Sequence, residues 1–448
     1  MKEEFLHWVW KNRLYYPLKD NDGLDVEIIT PGTYNRDSGP DFFNARIRTG
    51  GTDWAGNVEI HIRASDFYLH GHQNDHSFDN LILHVVYHND AIIRDSRGRS
   101  IPTVELAFDE EILARYSSMI NQPASIACND HLHHVDRFFI RHWLGAILVE
   151  RLGGKFAFVR RVLDETSNDW EETFYRIISR YFGFRVNTEP FEMLATALPF
   201  KIIRKHIDNG LQLEALLFGT AGMLEEGLFR EAVNDTYFLD LSREYRILRA
   251  KYSLNPVHGW LWKFSRLRPV NFPTIRISQL SAMLSVTGGL FTRSIEATSL
   301  DELRSYFSVA ASSYWDDHYI FGKKARGNKK TAGEVSTDIL LINSVIPVIF
   351  TYGQLRSLPA MKEKALGYLD EIKAEDNIIT REWARAGFCP SSAFESQALI
   401  HLRDNYCRRR RCLDCRIGSL LISGGNTMKE SDQLSLEPPP CDLKTGSC

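Results

Sequence analysis

The stretch GPDFFNARIRTGGTDWAGNVEIHIR occupies residues 39–63. Gly39-Pro40 reads as a turn that releases the chain at Asp41 into an alternating run, Phe42 to Arg48. Asn57 to Arg63 alternates in the same way, and Gly50-Gly51 between the two runs predicts a hairpin or tight loop. Side chains alternate across a strand, so Glu59 and His61 share one face. If the two strands pair, Asp41 comes near Glu59, and two carboxylates meet one imidazole.

Working outward, Val26 to Ile29 reads as a further strand closed by Pro31-Gly32. Glu3 to Lys11 reads as a helix with Phe5, Trp8 and Val9 on one face. On the other side, DFYLHGHQNDH (residues 66–76) has room for a short helix. Leu81 to Tyr87 is the most apolar strand and is therefore predicted to be central. Ile92-Ile93 and Thr103 to Leu106 finish the sheet in this reading. From Val135 the period becomes helical: Asp136 caps a helix carrying Phe139, Trp143 and Ile147, and Trp170 to Tyr181 repeats the pattern up to Gly183. More helices are expected at 211–226, 242–252, 274–287, 335–352, 360–373 and 393–407. The fold class is α+β: a mixed α/β sheet domain over residues 1–125, a mostly helical domain over 126–423, and a Pro/Gly/Ser-rich disordered tail over 424–448.

The 448 residues carry 54 Lys+Arg and 57 Asp+Glu, for a net charge of -3, with 44% hydrophobic residues. This excludes a disordered chain and a small disulfide scaffold. The balance hides an asymmetry: residues 1–125 hold 12 basic and 19 acidic side chains, and six of the fifteen histidines lie between His61 and His88. The surplus of base behind residue 125 is too small to argue nucleic-acid binding from charge alone. The acidic start MKEEFLHW is unlike a signal peptide, and the apolar run Ile339 to Phe350 is too short to span a bilayer, so no membrane and a cytoplasmic location are expected. Composition does not set an oligomeric state.

Asp41 and Glu59 suit Mg²⁺ or Mn²⁺, which prefer oxygen ligands, and a bound ion would polarise a phosphoryl oxygen and acidify a water. The competing reading leaves Glu59 and His61 on a solvated face. A neighbouring candidate, His70-Gly71-His72 with Asp75, His76 and Asp79, has the donors for Zn²⁺ or Mn²⁺. His84, between Leu83 and Val85, reads as a hydrogen-bonded strand residue. Near the C-terminus, Cys389, Cys407, Cys412 and Cys415 are spaced C-x₁₇-C-x₄-C-x₂-C, and four thiolates can hold Zn²⁺ or an iron–sulfur cluster. Cys128 is isolated. Arg408 to Arg411 either contacts phosphates or offsets thiolate charge. The loop from Arg266 to Arg276 reads as an ordinary interhelical loop in preference to a rigid phosphate site, and the run Tyr314 to Tyr319 as a packed aromatic corner in preference to a base-stacking surface. No phosphate loop or dinucleotide fingerprint is present in the sequence.

The order Pro40-Asp41, then Glu59-Ile60-His61, resembles the Pro-Asp…(Asp/Glu)-x-Lys nuclease superfamily, whose core runs helix–strand–strand–strand–helix–strand. The resemblance implies a nuclease-like core in which Asp41 and Glu59 bind metal, His61 stands in the lysine's place, and Glu3 or Glu4 adds a carboxylate. Histidine is only partly charged near neutrality, so that position departs from the pattern. Over most of the chain, SGPDFFNARI, GNVEIHI, NLILHVV, LRPVNFPTIRI and YCRRRRCLDCRIG resemble the bacterial family known as domain of unknown function 2851. The function expected is a metal-dependent phosphodiesterase or nuclease, possible partners including nucleic acid, with Asp41, Glu59 and His61 catalytic. The alternative is a non-catalytic binding or scaffold protein with a structural metal.

Overall fold

The computed structural model describes residues 1–286 and 289–425, so nearly all of the expected tail lies outside the described residues. The chain divides into two compact units. The first comprises Met1–Trp143, Glu382–Phe388 and the segment from Leu402 onward; the second comprises Leu144–Arg381 and Cys389–His401. An N-terminal mixed sheet followed by a mostly helical region is the α+β class read from the sequence.

The first unit opens with helix α1 (Glu3–Lys11), whose Phe5, Leu6, Val9 and Trp10 are fully buried. Seven strands follow: β1 (Leu18–Lys19), β2 (Asp25–Thr30), β3 (Thr33–Tyr34), β4 (Phe42–Thr49), β5 (Thr52–Arg63), β6 (Leu81–His88) and β7 (Thr103–Glu105). They form one sheet in the order β1-β2-β4-β5-β6-β7, with β3 beside β4. The β4–β5 hairpin turns at Gly50 and Gly51, both at positive φ, and brings Phe42 opposite Val58. β5 and β6 then pair in parallel, with Glu59 opposite His84. The parallel pairing needs a crossover, which is supplied by helix α2 (Asp66–Leu69) and two 3₁₀ turns, His72–Asn74 and His76–Phe78.

Two sequence expectations differ from this sheet. β6 is interior but lies second from an edge, not at the centre. Its apolar run reflects burial on both faces, which parallel strands share wherever they sit. Ile92-Ile93 is no strand: Ile93 is buried as a plug with Phe67, Phe78 and Ile101, while Ile92 points out. After β7, helix α3 (Glu110–Asn121) receives the last described helix, Arg416–Ile422, through a hydrogen bond from Arg115 Nε to the Ile422 carbonyl at 2.9 Å.

The second unit is built from helices, including Trp170–Phe182, Gly210–Thr220, Thr236–Tyr252, Pro273–Val286 and Pro359–Glu371, close to the expected spans. The apolar run around residue 345 lies inside the continuous helical stretch Glu334–Leu355. By length and composition alone it is long enough to cross a membrane, but 61% of its most apolar window is buried within the protein, as in a core helix. Arg276 is buried: it bonds Asn271 at 2.6 Å and Gln279 at 2.9 Å and stacks on Phe184, so its loop is a structural tie. Glu214 is buried in the same unit and accepts hydrogen bonds from Ser278 and from Ser312.

Candidate metal centre

Strand alternation puts Glu59 and His61 on one side of β5, where both are buried rather than solvated. The chain enters β4 at Asp41, whose backbone N–H donates to Glu59 Oε2 at 3.1 Å and whose Oδ2 accepts the Ile60 N–H at 2.9 Å. Asp41 thus stands where a ladder partner would be, because the β4–β5 register slips between Phe42 and Ala45. Asp41 lies next to Glu59 through its backbone N–H, and Glu59 lies next to His61, while the Asp41 carboxylate itself turns to the Ile60 N–H and to His7.

The crossover adds what the strands lack. Gly71 adopts φ 78°, a left-handed turn that L side chains disfavour, and this reverses the chain between His70 and His72. His70 Nδ1 lies 3.2 Å from His61 Nε2, and His72 Nε2 lies 3.3 Å from Glu59 Oε1. Glu59 Oε1 is 3.5 Å from His61 Nε2. One nitrogen from each of His61, His70 and His72 falls within 4.8 Å of the others. Ligands at about 2.1 Å from one ion sit at such mutual separations. The two metal candidates in the sequence are therefore one site. Asp75, His76 and Asp79 do not join it: Asp75 caps the Ser77 N–H, and Asp79 pairs with His76, Ser96 and Arg97.

Burial and the neighbouring imidazoles hold His61 down at about 2, so it is neutral at any ordinary pH. His84, lowered to about 3 by burial, meets His61 Nδ1 through Nε2 at 2.9 Å. When His61 donates Nδ1–H to His84, its Nε2 lone pair faces Glu59, His70 and His72, the arrangement a metal-ligating histidine requires. Burial pushes Glu59 up to about 7, and the charge of Asp41 adds to the shift while His72 opposes it. A buried acid beside the neutral His61 is a poor arrangement alone and a good one around a cation.

On α1, Glu3 and His7 lie one turn apart and face this site. Burial works against a charged His7, but the Asp41 carboxylate 3.2 Å from its Nε2 outweighs it, and His7 is raised. Glu3 is half-buried, raised by burial, and interacts with His70 and His7; Glu4 is exposed. Of the two acids suggested by the nuclease resemblance, Glu3 is the one turned this way. His7 escaped the sequence reading, although the i, i+4 spacing from Glu3 was available to find it.

Among the cysteines, Cys407, Cys412 and Cys415 are buried in the first unit, together with Cys128. Cys389 belongs to the second unit. The arginine run is mostly occupied locally: Arg408 pairs with Asp404, Arg410 with the carbonyls of Gln122 and Ala124, and Arg411 with Asp414.

A parallel-edged mixed sheet with a His/Glu/Asp cluster beside its crossover defines a candidate metalloprotein. The chain belongs to the family described as Protein of unknown function (DUF2851), which it matches over residues 3–378. That span contains every residue of the histidine site and Cys128, and stops before Cys407. No curated protein and no solved structure matched the chain.

Proposed function

We propose that Glu59, His61, His70 and His72 hold one divalent ion, Zn²⁺ or Mn²⁺ in preference to Mg²⁺, and that the protein hydrolyses phosphodiester bonds. The carrying observation is the meeting of three imidazole nitrogens within 4.8 Å beside the Glu59 carboxylate. Three imidazoles favour the borderline transition metals over Mg²⁺. The chain order α1, β2, β4, β5, α2, β6, with β6 parallel to β5, supports the nuclease reading, as does the entry of Asp41 beside Glu59.

A bound ion polarises a phosphoryl oxygen and lowers the pKa of a water. Asp41 orients the edge of the site through Ile60 and keeps His7 towards its protonated form, and a protonated His7 is the group able to supply a proton to a leaving oxygen. His61, held neutral, acts as a ligand rather than as a substitute for a lysine cation. His70 is exposed and His72 half-buried, so the site opens to solvent on the crossover side, an access a purely structural ion has no need of. Nucleic acid is the first substrate class to try.

The test uses chelator-stripped protein with Zn²⁺, Mn²⁺ or Mg²⁺ added back, assayed on an activated phosphodiester and on single- and double-stranded DNA and RNA. Metal-dependent cleavage lost in Asp41→Asn, Glu59→Gln and His72→Ala supports the reading. Tight ion binding with no cleavage of any probe would move the protein to the structural-metal alternative, and absence of ion binding would refute both.

A further inference from the structure

We infer that Cys128, Cys407, Cys412 and Cys415 are the four ligands of a [4Fe–4S] cluster that fastens the C-terminal segment to the sheet-bearing unit. This site is separate from the histidine centre and does not depend on what that centre does. Its four thiols are free, buried and come from three places in the chain. Cys128 precedes the short turn Asn129–His134, Cys407 closes the π-helical turn Arg403–Cys407, and Cys412 and Cys415 flank the turn before Arg416–Ile422.

Several contacts bring these segments together. Arg410, at φ 54°, donates through Nη2 to the carbonyls of Gln122 and Ala124, pinning the cysteine loop to the chain just before Cys128. Gly418 lets the last helix approach the loop: a Cβ there would lie 2.4 Å from the Cys412 carbonyl oxygen. All six pairs among the four thiols are close enough for each charge to disfavour another. Burial raises Cys407 and Cys415 above the usual thiol range, opposed only in part by Arg410 and Arg403 at the first and by the backbone N–H groups of Gly418 and Ile417 at the second.

Spacing selects the occupant. A single zinc ion with bonds of about 2.3 Å draws its sulfurs to about 3.8 Å from one another. Among the described residues, the donors gathered within 4.8 Å of one another are the histidine trio, and the four cysteine sulfurs do not form such a group. A cubane cluster, in which each thiolate binds a different iron, takes the wider set.

The experiment is anaerobic purification of the full chain, or its reconstitution with equal ferric and ferrous iron and sulfide, followed by iron, zinc and acid-labile sulfide analysis and absorbance. About four iron and four sulfide per chain, in a brown protein bleached by dithionite, is the expected result. Cys128→Ser lowers the iron content at least fourfold, while Cys389→Ser leaves it unchanged. Circular dichroism and a thermal melt report whether Cys128→Ser is folded; Cys412→Ser, on the separate loop, must give the same loss. A colourless protein with one zinc at these cysteines overturns the cluster. So does a reconstituted protein with no iron, and so does iron retained in Cys128→Ser but lost in Cys389→Ser.

Discussion

His84→Phe isolates the contribution of a residue that touches no substrate. In the native site the ring of His84 is fully buried and its Nε2 lies 2.9 Å from His61 Nδ1. Both rings are held neutral, so this is one neutral hydrogen bond, and with His61 as its donor it fixes the tautomer that leaves the His61 Nε2 lone pair free to ligate. Phenylalanine fills a similar volume and removes the acceptor. His61 then either keeps its Nδ1–H unsatisfied, at about 1–3 kcal/mol, or moves the proton to Nε2 and loses its ligating lone pair. Either course weakens ion binding, and loss of such an outer partner typically costs about 10–100-fold in affinity, or about 1.4–2.7 kcal/mol. Titration calorimetry of Zn²⁺ and Mn²⁺ into stripped protein reads this directly, with a thermal melt confirming the fold. His84→Asn, which retains an acceptor, should recover part of the loss. If His84→Phe binds both ions within about twofold of the native protein, His61 is not the ligand that the geometry indicates.

Three other outcomes follow from local geometry. Gly71→Ala imposes a left-handed conformation on an L residue, at about 1–2 kcal/mol, and should weaken ion binding by displacing His70 and His72; calorimetry checks it. Gly418→Ala has to push the last helix off the Cys412 carbonyl and should lower stability by about 1–3 kcal/mol in a denaturant melt. Burial raises Glu214 from 4.5 to about 7 against the opposing hydrogen bonds of Ser278 and Ser312. Because the folded value is the higher one, its contribution is fully present below about pH 4.5 and is lost as pH rises through about 7, for a change of about 3 kcal/mol. Glu214→Gln should therefore flatten the Tm profile of the native protein between those limits, and an unchanged profile would count against the burial argument.

The elements were readable because their signals are local. Glu3–Lys11, the Gly50-Gly51 hairpin and the alternation that joins Glu59 to His61 follow from periodicity and turn chemistry within a dozen residues. Position within the sheet was less accessible: Leu81–His88 is apolar because both of its faces are covered, and that composition does not say which strands flank it. The conversion of two rival metal candidates into one site also lay beyond local reading. It depends on the β5–β6 crossover folding back at Gly71, a contact between residues whose separation carries no spacing rule.

By itself, then, the sequence determined the α+β class, the strand carrying Glu59 and His61, and the convergence of Asp41 on Glu59, since each depends on backbone periodicity and one tight turn. Only the tertiary structure decided that His70, His72 and His7 face that strand, that His61 is neutral, and that Cys128 lies with Cys407, Cys412 and Cys415. Those outcomes come from burial and from contacts between distant segments, and neither desolvation nor long-range proximity leaves a periodic mark in the order of residues.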